Sequence, residues 1–168
     1  MTVAEYNFCV NRFADRLYRF ILKNLTDEDK AKDIVQDSYE KLWIKHDEVS
    51  FEKAKSYLFA TAYHTMIDRI RKDKRMENAD MPTDEHLYDS TYHTDLPVEQ
   101  TGLKELLNRA LDKLPEIQKS VILLRDYEGY SYSEISQITG LTESQVKVYI
   151  YRGRIFLKKF IGSIETVI

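Results

Sequence analysis

The sequence predicts an all-α chain: two small helical domains joined by a flexible acidic linker, the C-terminal one a four-helix unit containing a helix-turn-helix. Three observations carry this expectation. Apolar residues recur at three- and four-residue spacing through most of the 168 residues, and no alternating strand pattern persists. Glycine and proline number only five and three, so helical runs go largely uninterrupted. Residues 80–99 (DMPTDEHLYDSTYHTDLPVE) break every period, with six acids, two prolines and no Lys or Arg. These signals divide the chain into residues 1–78, a linker over 79–100, and residues 101–168.

The first element is expected from Tyr6 to Asn24, where Phe8, Phe13, Leu17, Phe20 and Ile21 form an apolar face between Arg12, Asp15, Arg16 and Arg19. Thr26 with Asp29 resembles a cap for a second helix over Asp27 to Lys45. Its Ala31, Ile34, Val35, Leu42 and Trp43 point to a core. Asp33, Gln36, Asp37 and Glu40 share the opposite face, either as a solvated acidic surface or as a docking surface for a partner that supplies arginines. A loop at Asp47 to Phe51 precedes a third helix, Glu52 to Arg75. There Leu58, Ala62, Met66 and Ile70 form one ladder, and Tyr57, Ala60, His64, Ile67 and Arg71 another. Its end, Arg69 to Arg75, holds five Lys/Arg and one Asp, more than a helix C-terminus needs. Aromatics ahead of a basic end make a platform for unstacked bases beside a phosphate grip, or a core cluster with a solvated tail.

His86 and His93 lie near acids in the linker, but their spacing matches no metal-ligand motif, and solvated histidines are the better reading. Periodicity restarts over Gly102 to Leu114. Pro115 fits the first turn of a following helix that carries Ile117, Val121, Ile122 and Leu124 and stops at Gly129. Ser131 to Lys159 then holds two capping boxes, Ser131 with Glu134 and Thr142 with Gln145, separated by Gly140, which suits a left-handed helix end. The pattern is helix, tight turn, helix. In the second of these helices Val146, Ile150, Gly153, Leu157 and Phe160 share one face, while Ser144, Lys147, Val148, Tyr151 and Lys158 fall opposite. Five Lys/Arg against two Glu in this stretch, within a chain of net charge -3, point to phosphate binding. A lone basic helix would more simply close a bundle, but a capped short helix in front favours DNA.

Composition narrows the classes. Cys9 is the only cysteine, which excludes an internal disulfide or a multi-cysteine zinc site and fits a reducing cytosol. No apolar run reaches membrane-spanning length, and MTVAEYNFCVNRF lacks a basic start followed by an apolar core, so a cytoplasmic location is expected. No glycine-rich phosphate loop, serine elbow or zinc motif is present. His64 and Asp68 share a face without a nucleophile or metal beside them. Neither catalysis, nor a cofactor, nor a bound metal is expected.

These residues resemble a known family. DKAKDIVQDSYEKLW looks like the polymerase-binding segment of bacterial RNA polymerase sigma factors, and SYLFATAYHTMIDRIRKDKR looks like the adjoining promoter-melting segment. LPEIQKSVILLRDYEGYSYSEISQITGLTESQVKVYIYRGR resembles the domain that binds the minus-35 element. With only these two domains the chain is similar to the extracytoplasmic-function (ECF) group. The resemblance implies that Asp33, Gln36, Asp37 and Glu40 face the clamp helices of the polymerase largest subunit. It implies that Tyr57, His64, Arg69, Arg71, Lys72 and Arg75 lie along the minus-10 strand. Ser144, Gln145, Lys147, Val148, Tyr151, Arg152 and Arg154 would approach the minus-35 duplex. Core polymerase, including its flap, promoter DNA and an anti-sigma factor are the implied partners, with the acidic linker threading a basic channel. Three residues depart from the family pattern: Tyr57 stands where tryptophan is common, His64 where asparagine is, and Tyr149 where arginine is. The residues also admit a two-domain helix-turn-helix regulator that does not replace sigma, or a helical scaffold that binds only protein.

Overall fold

A computed structural model describes residues 1–80 and 102–167, with side chains resolved through residue 77 and from 102 to 163. Helix α3 takes in residues 79 and 80 of the expected linker, and the rest of it through residue 100, with its two histidines His86 and His93, lies outside the described residues. The described residues are helical throughout, without strands. The first half comprises α1 (Val3–Leu25), α2 (Glu28–Ile44), a short 3-10 turn (Phe51–Lys53) and α3 (Ala54–Asp80). The second comprises α4 (Leu103–Asp112), α5 (Glu116–Ile122), α6 (Tyr132–Thr139) and α7 (Glu143–Val167). No described helix is long and apolar enough to cross a membrane.

Local chemistry sets most helix ends. Thr2 and Glu5 close a capping box at the start of α1. The α1–α2 junction differs from the expected Thr26 cap, because the connection is too short to hold both a helix end and a separate cap. Thr26 instead takes the left-handed conformation (φ 60°) and donates its N–H to the Leu22 carbonyl at 2.7 Å, ending α1. Asp27 caps α2 through Lys30 N–H. A non-glycine residue in that region costs about 1–2 kcal/mol, so the tight reversal must be held by the packing on either side. Beyond α5 the chain widens into a single π-helical turn, Leu123–Tyr127, with Glu128 N–H bonded to the Leu123 carbonyl at 3.1 Å.

Helices α1, α2 and α3 enclose Leu17, Ile21, Ile34, Leu42, Leu58, Phe59 and Met66, all fully buried. Each such side chain contributes about 1.5–3 kcal/mol by leaving water. Two residues expected in this core lie outside it. Phe8 is 51% exposed and rests on Phe51, and Trp43 is 42% exposed and stacks on His46. Their sequence neighbours Cys9 and Leu42 take the inward positions, and one residue further along a helix turns the side chain by about 100°. Tyr39 is held beneath this layer by donating its hydroxyl to the Cys9 carbonyl at 2.7 Å, and burial pushes its phenol well above the usual range.

The two halves are packed on each other. Helix α6 lies against α3, and the buried ring of Phe59 sits 5.5 Å from Tyr130. Between α1 and α5 runs a short polar seam. The Asn24 side chain donates to the Phe20 carbonyl at 2.8 Å and accepts from the Ser120 hydroxyl at 2.8 Å. Lys119, only 5% exposed, reaches the Asp112 carboxylate at 2.9 Å and the Asn24 carbonyl at 3.4 Å. Every polar group of the seam therefore has a partner, which a buried group requires. Replacing Asn24 with Ala strands the Ser120 hydroxyl and should destabilise the chain by about 1–3 kcal/mol. Ser120→Ala should cost much less in the Asn24→Ala background than alone. Urea denaturation of the four proteins of this cycle measures the coupling, and strict additivity would place the two side chains out of contact.

Candidate nucleic-acid interface

The helix-turn-helix is built from short-range hydrogen bonds. Ser131 N–H donates to Glu134 Oε1 at 2.8 Å and Glu134 N–H to Ser131 Oγ at 3.1 Å, so α6 begins on a complete capping box. Gly140, at φ 81°, ends it with its N–H on the Ser136 carbonyl. Ser136 Oγ donates to the Leu141 carbonyl at 2.6 Å, and Leu141 N–H returns to Thr139 Oγ1 at 3.2 Å, which fixes the turn. Thr142 N–H to Gln145 Oε1 (2.9 Å) and Gln145 N–H to Thr142 Oγ1 (3.1 Å) start α7. Gln145 is thereby committed to capping as well as lying at the outward face.

Helix α7 buries Val146, Ile150 and Gly153. Gly153 permits a close helix crossing: a Cβ there would fall 2.2 Å from Ile122 Cδ1. That crossing presents the opposite face to solvent. Ser144, Gln145, Lys147, Val148, Tyr151, Arg152 and Arg154 are all exposed, with Tyr151 at 68%. Arg154 is already engaged, its guanidinium held by both carboxylate oxygens of Asp126 at the π-helical turn. Lys147 and Arg125 both approach the Tyr132 ring, at 5.6 and 4.5 Å, so α6 contributes an aromatic base to the basic surface. Sequence periodicity missed Arg125 and Asp126, which lie on the widened turn, and Tyr132, which starts α6, because they meet the face only through packing between elements.

The α3 residues divide by position. Leu58, Ala62 and Met66 face α1 and α2, while Tyr57 is half-buried and His64 is exposed beside the helix-turn-helix, where a Cβ on Gly140 would lie 4.0 Å from His64 Cε1. Ile67 and Arg71 border a groove shared with Ile117 and Tyr149. Arg71, Lys72 and Arg75 are exposed along the basic end. Arg69 instead pairs with Asp33 of α2 at 2.8 Å, and Lys30 of α2 with Asp73 of α3 at 3.0 Å. The acidic face of α2 therefore touches the basic end of α3. Asp33, Gln36 and Glu40 are exposed on it and Asp37 is half-buried. Among the described residues no group of three or more His, Cys, Asp or Glu is placed to hold a metal.

Comparison with known proteins places both halves. Residues 9–76 match the family model of sigma-70 region 2, and residues 104–157 that of sigma-70, region 4. The chain is similar to the RNA polymerase sigma factor SigV of Bacillus subtilis (strain 168), 32% identical over 149 residues, spanning 86% of this chain and 83% of that protein. It is also similar to the RNA polymerase sigma factor YlaC of the same strain, 29% identical over 154 residues and covering 88% and 87% of the two chains. Among solved structures, the sigma factor RpoE in complex with the anti-sigma factor NepR from Bartonella quintana shares the fold. Its TM-score is 0.76 at 22% identity, over 95% of this chain and 98% of that one. A capped helix-turn-helix with a basic outer face, an acid-faced helix in the other half, and both family matches in this order make the chain a member of the bacterial sigma-70 family, an ECF sigma factor that directs transcription initiation.

Proposed function

We propose that the division of labour follows the surfaces: residues 1–78 bind core polymerase through α2 and open the minus-10 element along α3, and residues 101–168 read the minus-35 element through α7. The chain acts as a specificity subunit, without chemistry of its own. The observation that carries the reading is the outward, solvent-exposed α7 face bearing Lys147, Tyr151 and Arg152, set at a fixed angle by the Gly153 contact. A cytoplasmic location and control by an anti-sigma factor accompany this role. The solved relative in complex with NepR supports the latter by analogy.

On α7, Lys147 and Arg152 are free of carboxylate partners among the described residues, whereas Arg154 must leave Asp126 to reach DNA. Lys147→Ala and Arg152→Ala should each weaken minus-35 duplex binding. A phosphate contact flattens the dependence of log K on log salt by about one unit, and a base contact relaxes preference at one position. Fluorescence anisotropy across a salt series separates the two, and unchanged binding by both variants would remove α7 as the reader.

On α2, Asp33→Lys with Asp37→Lys should weaken association with core polymerase at least tenfold while helicity is retained, since exposed ion pairs contribute only about 0–1 kcal/mol to the fold. Because Asp33 also holds Arg69, the Arg69→Ala variant is the control. Should Arg69→Ala weaken core binding as much as the double reversal, the α2 carboxylates act by positioning α3 rather than by docking.

Helix α6 packs on α3 and Gly140 stands near His64, so withdrawal of α6 would widen access to a strand along α3. His64 is exposed, and a neutral imidazole presents one donor and one acceptor on separate ring edges, a pattern unlike an asparagine amide. His64→Asn should shift minus-10 base preference and leave core binding unchanged. Run-off transcription from a library randomised across the element tests this, with identical preferences in parent and variant as the contrary result.

A further inference from the structure

The two halves leave a cavity of about 310 Å³ between α1, the start of α4 and the chain just after α5. Three cations of α1 border it, Arg16, Arg19 and Lys23, and Lys104 of α4 stands across from them. One carboxylate lies among them, Glu128, and Arg16 takes it at 3.2 Å. Arg19 pairs with Asp15 on its own helix, through side chains 62% and 78% exposed. Lys23 rests over the Tyr127 ring at 4.0 Å. Among the described residues neither Lys23 nor Lys104 forms an ion pair with a carboxylate, although Glu128 acts on Lys23 at longer range.

Four cations around one carboxylate leave a local excess of positive charge, which an anion would neutralise. The Lys23 ammonium registers this: burial lowers its pKa, and the neighbouring Lys104 and Arg19 lower it further. These residues lie on α1 and α4, apart from the outward face of α7 and the basic end of α3. The cavity's shape also matters, because the cations line a pocket at the small end of the ligand-site range rather than a convex stripe of the kind that tracks a duplex.

We propose that this cavity binds a small diphosphate-bearing anion, and that its occupancy holds the two halves together. Arg19 and Lys23 grip it from α1 and Lys104 from α4, so the anion bridges elements that the Asn24–Ser120 seam joins nearby. An occupied site therefore favours the arrangement in which α6 covers α3, and release of the anion favours opening. A guanidinium supplies two parallel donors to a phosphate, while the lysines act as point charges on its remaining oxygens.

Isothermal titration of the full chain with sodium pyrophosphate, and separately with a nucleoside diphosphate, tests the site without core polymerase or promoter DNA, so its outcome is independent of the role assigned above. One binding event per chain is expected, with affinity reduced tenfold or more by Lys104→Gln and by Arg19→Gln and unchanged by Lys53→Gln, an exposed cation elsewhere. Tighter binding of the nucleotide than of pyrophosphate identifies a nucleotide as the ligand, and equal binding identifies the diphosphate group itself. Equal affinity for parent and Lys104→Gln, or several weak ions per chain with no preference over sulfate, overturns the site. Small-angle X-ray scattering reads the second half of the proposal: pyrophosphate should narrow the size distribution of the parent and not of Lys104→Gln. Binding without that change overturns the clamp. Circular dichroism of each variant confirms its helicity. Should Arg19→Gln lose its fold, Lys104→Gln, altered at an exposed position, decides alone.

Discussion

The fold turns on the ring of Phe59. It is fully buried on α3, 5.5 Å from Phe20 of α1 on one side and 5.5 Å from Tyr130 of the second half on the other. One side chain thus belongs to both cores. Removing an aromatic ring from such a position costs several kcal/mol through lost burial and an unfilled space. Because α3 is the wall shared by both halves, its face toward α1 and α2 is fixed by their packing, and its other side receives α6. Lys55, one turn earlier, spans the same contact with its ammonium 4.8 Å from the Tyr130 ring, and burial lowers its pKa.

That shared wall explains how the charged surfaces are arranged. The chain carries a net charge of -3, yet its cations are concentrated at the end of α3, along α7 and around the α1–α4 cavity. Each surface is partly neutralised where it stands. Asp33 holds Arg69, Asp73 holds Lys30, Asp126 holds Arg154 and Glu128 holds Arg16. The first three are exposed pairs, each worth little in water, and can exchange for phosphate or for a partner's charges, whereas the Glu128 side chain is only 11% exposed. Lys119 differs, because its 6% exposed side chain is held within the seam by Asp112 and the Asn24 carbonyl.

The helix-turn-helix differs in kind from the rest of the molecule. Its two caps, the Gly140 turn and the Ser136 hydroxyl bond all close within five residues of sequence, so it takes shape from local chemistry. What positions it is a non-local contact, the fit of Gly153 against Ile122. Behind it α7 packs on α4 and α5 through Val146, Ile150 and Gly153, and α6 packs on α3.

The all-α class, the caps at Ser131 and Thr142, the left-handed Gly140 and the outward face of α7 follow from the sequence because each depends on residues a few positions apart. Periodicity places Leu17, Leu58 and Met66 in the core for the same reason. Yet it misplaces Phe8 and Trp43, since an apolar pattern gives a face's direction only to within a residue or so, and the neighbouring helix decides which side chain it covers. The Thr26 reversal was likewise decided by how closely α1 and α2 pack. Nothing in the spacing of Asn24 and Ser120, or of Phe59 and Tyr130, relates one half to the other. Those pairings arise only when the two cores meet, and with them come the covering of α3 and the basic cavity between α1 and α4, because a surface shared by distant segments is a property of their packing and not of either segment.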